Sequence, residues 1–157
     1  LDRTSTYTIN DLSDITSTNS TYDPYSTTKK GWYINMTGGG EKILAEPVLF
    51  EGRIYFTTYI PGSSNDPCNA AGTASLYIVD YITGAGKING ARSEVLTGTG
   101  VPSAPIISRN PYGGTDIYVS TSVASTVGGS HTDKAVDPNV NTNPPNSLIY
   151  WHDQRVQ

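Results

Sequence analysis

Two apolar runs joined by a short turn constrain the fold of this chain more than any other feature. The run Pro47-Val48-Leu49-Phe50 is followed by Glu51-Gly52 and then by Arg53-Ile54-Tyr55-Phe56-Thr57-Thr58-Tyr59. Both runs are rich in β-branched and aromatic residues, and glycine supplies the positive φ that a two-residue turn requires. The pattern predicts a β-hairpin from Pro47 to Tyr59 at the centre of the fold.

The rest of the chain has the composition of a β protein with long loops. Charged residues make up 15% of it, against about 25% in an average globular domain. Thr, Ser, Asn, Gly and Tyr replace the good helix formers, so we expect little helix. Further strands are predicted at Thr4 to Ile9 (an edge strand), Gly31 to Met36, Thr73 to Asp80, Val101 to Ile107, Asp116 to Ser120 and Ser147 to His152.

These strands predict one β domain preceded by a Ser/Thr-rich segment. Residues 1–30 are expected to hold the edge strand and a loop, and residues 31–157 to form the β domain. A strand pair with a Gly turn and a Thr-Gly end occurs at Pro47 to Gly84 and again from Ala104 onward. Such units recur every ~40 to 50 residues in β-propellers, which predicts about three blades at most, fewer than a closed ring needs. The interval from Thr126 to Asn146 is predicted to be a long loop.

Charge and hydropathy exclude two classes of partner. The net charge is −4 and the ten Lys and Arg residues are scattered, so the electrostatic attraction that supplies most nucleic-acid affinity is missing. No apolar run reaches the ~18 residues of a membrane-spanning helix. We therefore expect no nucleic-acid partner and no direct insertion into a membrane.

No arrangement of residues predicts catalysis, a cofactor or a metal. Nucleophile-elbow, phosphate-loop and zinc-protease patterns are absent, and His131 and His152 have no nearby Cys or His partners. Alternating oxygen side chains at Asp137, Asn139, Asn141 and Asn143 suggest the start of a calcium loop, but Thr142 stands where that loop needs glycine, so a solvated turn is favoured. The single Cys68 is best read as a free thiol, then as a bond to a Cys outside this segment, and last as a catalytic thiol. The chain is predicted not to be an enzyme.

Tyrosines in or beside loops indicate an interaction surface. Tyr22, Tyr25, Tyr59 and Tyr112 lie at such positions, where tyrosine brings a large rigid contact area at low entropic cost. Their spacing does not localise the surface.

Several ordered motifs resemble the C-terminal region of the PilY/PilC family of type IV pilus tip proteins. The resemblance covers about residues 9 to 155, and its specificity comes from the order of the motifs. They are Lys30-Gly31-Trp32-Tyr33-Ile34, Gly40 to Val48, Gly52 to Thr58, Asp66-Pro67-Cys68, Gly72-Thr73, Leu76 to Gly84, Gly100 to Ile107 and Ile149 to Arg155.

This resemblance implies strands from a modified β-propeller, exported and displayed at the bacterial surface with type IV pili. In that family the protein primes pilus assembly, opposes retraction and mediates adhesion, with pilins or minor pilins as the expected partners. The family's calcium loop and its large N-terminal adhesive region have no counterpart here, so calcium control and adhesive specificity do not carry over. Two alternatives stay open, namely a separate subunit that caps or decorates a filament, in contact with copies of itself, and a quinoprotein-like propeller enzyme.

Overall fold

The computed structural model describes residues 6–62, 71–109 and 115–123, together with the backbone of 131–136. A 3₁₀ helix spans Ile9–Asp11. The strands are β1 (Ser13–Asp14), β2 (Trp32–Tyr33), β3 (Val48–Phe50), β4 (Arg53–Ile60), β5 (Thr73–Asp80), β6 (Ser93–Pro102), β7 (Ile106–Arg109), β8 (Thr115–Val123) and β9 (His131–Val136). Within these ranges there is no α-helix, so the predicted all-β class is confirmed.

The strands form one large antiparallel sheet and one small parallel pair. In the seven-stranded sheet the order is β3-β4-β5-β6-β8-β7, and β9 pairs with β8. Thr121 of β8 pairs with both Pro102 and His131, so β6 and β9 lie on opposite edges of β8. The sheet is curled, which fits a propeller-like all-β fold. The parallel pair joins β1 to β2.

One face of the curled sheet carries the hydrophobic core. Successive side chains of a strand point to opposite faces, so the register of each pair decides which residues meet. The pairs Tyr55 with Ile78 and Ile107 with Ile117 place apolar side chains together on this core face. The buried core cluster is Tyr55, Ala74, Leu76, Ile78, Leu96, Ile117 and Val119, with Val48, Phe50, Ile88 and Ile107 packed against it. We call the opposite side the outer face.

The predicted central hairpin is confirmed, including its turn. Phe50 pairs with Arg53, so Glu51 and Gly52 are the two turn residues, with φ of 47° and 74°. Two successive positive φ angles are the geometry of a type I′ turn, whose twist matches that of the flanking strands.

Three contacts join β4 and the hairpin to the far part of the curled sheet. The Thr57 hydroxyl of β4 donates a hydrogen bond of 2.9 Å to the Ser103 carbonyl between β6 and β7. At the end of β7, Arg109 forms an ion pair with Glu51 of the hairpin turn. The Arg109 guanidinium carbon also lies 5.8 Å from the centre of the Phe50 ring. The curl thus places β7 beside the hairpin although three strands, β5, β6 and β8, lie between them in the sheet.

The other strand predictions had mixed outcomes. β5 has the predicted bounds Thr73–Asp80, and β8 contains the predicted Asp116 to Ser120. The Trp32 strand is confirmed but covers only Trp32–Tyr33. The segment Val101 to Ile107 is split between β6 and β7. The predicted strand Ser147 to His152 lies outside the described residues.

Two predictions were wrong. Residues 6–9 of the expected edge strand are not a strand, because the side chain and backbone of Thr8 bond to Asp11 and start the 3₁₀ helix instead. The predicted loop from Thr126 to Asn146 contains β9, whose backbone pairs with β8 over six residues. The β9 sequence has little strand propensity, and the ladder offered by β8 overrides it.

The turn after β5 is built around Asp80. Its Oδ1 accepts bonds from the Ile82 amide at 3.0 Å, the Thr83 amide at 2.9 Å and the Thr83 hydroxyl at 3.0 Å. Lys87 Nζ lies 3.5 Å from Oδ2. Partial burial raises the pKa of Asp80, but the Thr83 and Ile82 hydrogen bonds with the charge of Lys87 outweigh it, so the pKa lies below its ordinary value of 3.8.

The hairpin turn can be tested with Gly52→Val. A Cβ at Gly52 has room, since its nearest neighbour is Tyr81 at 3.7 Å, so the cost comes from the positive φ alone. We expect the free energy of unfolding to fall by about 1–2 kcal/mol in chemical denaturation. Gly39→Val is the matched control, because Gly39 has open space and no positive φ. Equal stability of the two variants would contradict the turn assignment.

The Asp80 turn predicts a pH dependence of stability. Because the folded-state pKa is lowered, the ionised carboxylate stabilises the fold above pH 3.8, and this contribution is lost as pH falls through the folded-state pKa. We expect the difference in unfolding free energy between wild type and Asp80→Asn to be constant near neutral pH and to shrink in acid. Denaturation curves between neutral pH and strong acid measure it, and a difference independent of pH would refute the assignment.

Candidate interaction surface

A row of uncharged residues lies exposed on the outer face of the sheet. Along β6, residues with buried and exposed side chains alternate from Val95 to Pro102. Val95 is 63% exposed, and Ile106 at the start of β7 is 65% exposed. We call this row the outer strip, and it consists of Val95, Thr97, Thr99, Val101 and Ile106. Its β-branched side chains suit contact with another protein, since exposed apolar patches often mark such sites.

The strip depends on glycines on the other side of the same strand. Leu96, Gly98, Gly100 and Pro102 are the buried residues of β6. At Gly100 φ is 88°, and an added Cβ would lie 2.4 Å from the Ser122 hydroxyl and 2.8 Å from a Val123 methyl. The register with β8 shifts between Thr99 and Pro102. Gly100 therefore allows a β-bulge, which bends the strand as it leads into β7.

The outer face is covered over β4 and β5. Phe56 of β4 is 6% exposed and Val79 of β5 is fully buried. Phe56 stacks on Tyr77, with ring centres 4.8 Å apart, and the Tyr77 hydroxyl lies 3.4 Å from Glu41 Oε1. Next to Glu41 in the chain, Lys42 forms an antiparallel bridge with Tyr59 of β4. The outer face is thus closed over β4 and β5 and open along β6.

A buried arginine attaches the N-terminal segment, which we define as residues 6–35, to the sheet. Arg92 follows the Asn89-Gly90 turn, where Ile88 pairs with Ala91, and it is 3% exposed. Its guanidinium donates hydrogen bonds to four main-chain carbonyls. These are Gly84 at 2.8 Å, Ile15 at 2.5 Å, Ser17 at 2.7 Å and Ser20. We call this arrangement the Arg92 clasp.

Apolar packing reinforces the clasp. Ile15 is 1% exposed, and its Cδ1 occupies the space beside Gly84 that a Cβ would need. The Trp32 ring lies on the same glycine, at 3.2 Å from the position of such a Cβ. Tyr22 adds a bond of 2.8 Å from its amide to the Thr83 carbonyl. Gly84 thus accepts two large side chains from the N-terminal segment because it has none of its own.

Burial lowers the pKa of Arg92, whereas the neighbouring Tyr77 opposes this shift. The guanidinium nevertheless stays charged at neutral pH. The dipoles of the four bonded carbonyls therefore stabilise its positive charge.

Tyr22, Tyr25 and Tyr59 are the described tyrosines among those singled out from the sequence, and none of them belongs to the outer strip. Tyr25 is 90% exposed, while the Tyr22 hydroxyl is bonded to the Lys29 carbonyl at 3.0 Å. Tyr112, Cys68, His152 and the Asp137 to Asn143 series lie outside the described residues, as does the side chain of His131. The strip itself was missed, although the alternation of Val95, Thr97, Thr99 and Val101 carries the signal. The two glycines on the opposite face hid that alternation.

In residues 6–62, 71–109 and 115–123, no three His, Cys, Asp or Glu side chains are grouped so as to hold a metal ion. No described helix is long and apolar enough to cross a membrane.

Part of this chain is similar to a curated bacterial protein. Over 79 residues, 43% of this chain, it is 35% identical to a type IV pilus biogenesis factor PilY1 homolog from Xylella fastidiosa (strain Temecula1 / ATCC 700964). The match spans only 5% of that protein's length. No protein-family model matches the chain, and no solved structure matches it.

The Arg92 clasp predicts a large effect of Arg92→Met. The substitution leaves four main-chain carbonyls without their donor, so we expect the free energy of unfolding to fall by roughly 2–4 kcal/mol. Arg109→Met is the matched control, because that arginine is 42% exposed and its ion pair contributes at most about 1 kcal/mol.

Hydrogen exchange separates the clasp from a general loss of stability. The Ile15 amide bonds to the Tyr33 carbonyl at 3.0 Å, and we expect it to exchange much faster in Arg92→Met while amides of the β4–β5 pair keep more of their protection. Uniform loss of protection, or none at Ile15, would contradict the role given to Arg92.

Proposed function

We propose that this chain is a module of a PilY-type protein associated with type IV pili, located at the bacterial surface. The observation that carries the proposal is the 35% identity over 79 residues to a PilY1 homolog. The curled all-β sheet supports it, because a propeller-like fold is what the motif resemblance implies. As the match spans a small part of that relative, the proposal concerns this module and not every activity of a whole PilY protein.

The module acts through protein contacts and not through catalysis. The outer strip offers a row of five neutral residues on one sheet face, and four of them lie on β6, which is already paired to β5 and β8. A partner would therefore bury side chains and would not add a strand at this place. Pilins or minor pilins are the partners that the pilus role requires, and contact with them would support pilus assembly and adhesion.

Substitutions in the strip test this role. In the source bacterium, the gene is disrupted and restored as wild type, as Val95→Glu with Ile106→Glu, or as Leu44→Glu. A charge on the strip is costly to bury, so we expect few surface pili with the double variant and at least tenfold weaker binding of purified minor pilins. Leu44 is 55% exposed away from the strip, and Leu44→Glu should restore pili fully.

Two outcomes would redirect the proposal. Normal pili after gene disruption would contradict a role in pilus assembly. If the purified chain self-associates in sedimentation experiments and only the double strip variant is monomeric, the strip joins copies of this chain, as in the filament-decorating alternative.

A further inference from the structure

An open groove of about 740 Å³ lies on the N-terminal segment. Its walls come from the 3₁₀ helix, the β1–β2 pair and the loop between β1 and β2. The lining includes Asn10, Leu12, Asp14, Thr21, Lys29 and Tyr33. The Arg92 clasp holds this segment at Ile15, Ser17 and Ser20. The groove is therefore fixed to the sheet and does not depend on a mobile loop.

The groove lining includes a hydrogen-bond acceptor, the carboxylate of Asp14. Asp14 is exposed, and its Oδ1 accepts the Thr16 amide at 2.9 Å. Hydrogen bonds from the side chain and backbone of Thr16 and from the Tyr33 hydroxyl lower the pKa of Asp14, so the carboxylate is ionised at neutral pH. A carboxylate has about four acceptor positions, which leaves capacity for a ligand.

The groove lining also includes hydrogen-bond donors. Lys29 Nζ gives one hydrogen bond of 2.7 Å to the Asn10 carbonyl, and an ammonium has three N–H donors. The pKa of Tyr33 is raised by burial and by the hydrogen bond and charge of Asp14, so its hydroxyl keeps the proton at neutral pH. The Thr21 hydroxyl, which can both donate and accept, is also part of the lining.

This set of groups selects a class of ligand. One carboxylate and one ammonium face the same space, so neither an anion nor a cation finds an excess of opposite charge. A neutral ligand with adjacent hydroxyls can donate to Asp14 and accept from Lys29 at once. The Tyr33 ring and Leu12 offer apolar area for C–H groups. A sugar ring has both adjacent hydroxyls and an apolar C–H face.

We propose that this groove binds one or two neutral saccharide units. The ligand's hydroxyls bond to Asp14, Lys29 and Thr21, and its C–H face packs on Tyr33. The site is separate from the outer strip and does not depend on the role in pilus assembly.

Saturation-transfer NMR on the whole chain tests the proposal. The probes are neutral methyl hexosides and disaccharides, with methyl phosphate, whose methyl protons can be observed, and a Ser/Thr-rich peptide as ligands of other chemistry. The groove is open and wet, so we expect weak binding with a Kd of about 0.1–10 mM for at least one saccharide. Phosphate and peptide should give no transfer.

Two variants and one control locate the binding. Thr21→Trp fills the groove from an exposed position, and Tyr33→Leu removes the ring and the hydroxyl. Each should weaken saccharide binding at least tenfold, and Thr21→Trp should do so without a change in melting temperature. Tyr25→Leu makes the same substitution as Tyr33→Leu at a residue that is 90% exposed outside the groove, and it should bind as wild type.

The result that overturns the proposal is equally specific. It fails if no saccharide of the panel shows transfer, if phosphate or peptide binds instead, or if Thr21→Trp binds saccharide as wild type does.

Discussion

The contact between Arg92 and main-chain carbonyls is the interaction on which the arrangement of this chain depends. A buried guanidinium is costly unless its N–H groups are paired, and here it bonds to Ile15, Ser17, Ser20 and Gly84. The three bonds to Ile15, Ser17 and Ser20 join residues more than 70 positions apart. Because the acceptors are backbone atoms, the clasp fixes the path of the N-terminal segment with little demand on its side chains.

That path divides the surface into regions with different properties. The N-terminal segment packs on the turn after β5, where Ile15 and Trp32 meet Gly84. It forms a polar groove of its own there, with Asp14 and Lys29 in the lining. The outer face along β6 stays open, with Val95 and Ile106 mostly exposed. One buried arginine thus fixes the position of the groove relative to the open sheet face.

The curl of the sheet depends on small residues and hydroxyls at its bend. Gly100 permits the bulge, and Ser103 bonds to both Ser120 and Thr57. These bonds satisfy main-chain groups where the regular ladder between β6 and β8 is interrupted, which is necessary because an unpaired buried carbonyl is costly. The ion pair of Arg109 with Glu51 then joins β7 to the hairpin. The curl brings Phe50, Ile107 and Ile117 into one core.

The sequence by itself determined the local elements whose cause is local. The Glu51-Gly52 and Asn89-Gly90 turns and the strand Thr73–Asp80 follow from glycine φ angles and from runs of β-branched residues. Tertiary structure decided the rest. Pairing with β8 makes a strand of β9, burial makes the clasp of Arg92, and neighbouring strands turn Gly98 and Gly100 inward so that the outer strip faces solvent. The β9 pairing and the Arg92 clasp arise from contacts between distant residues, which no local pattern encodes, whereas the strip left a local alternation in β6 that its glycines hid.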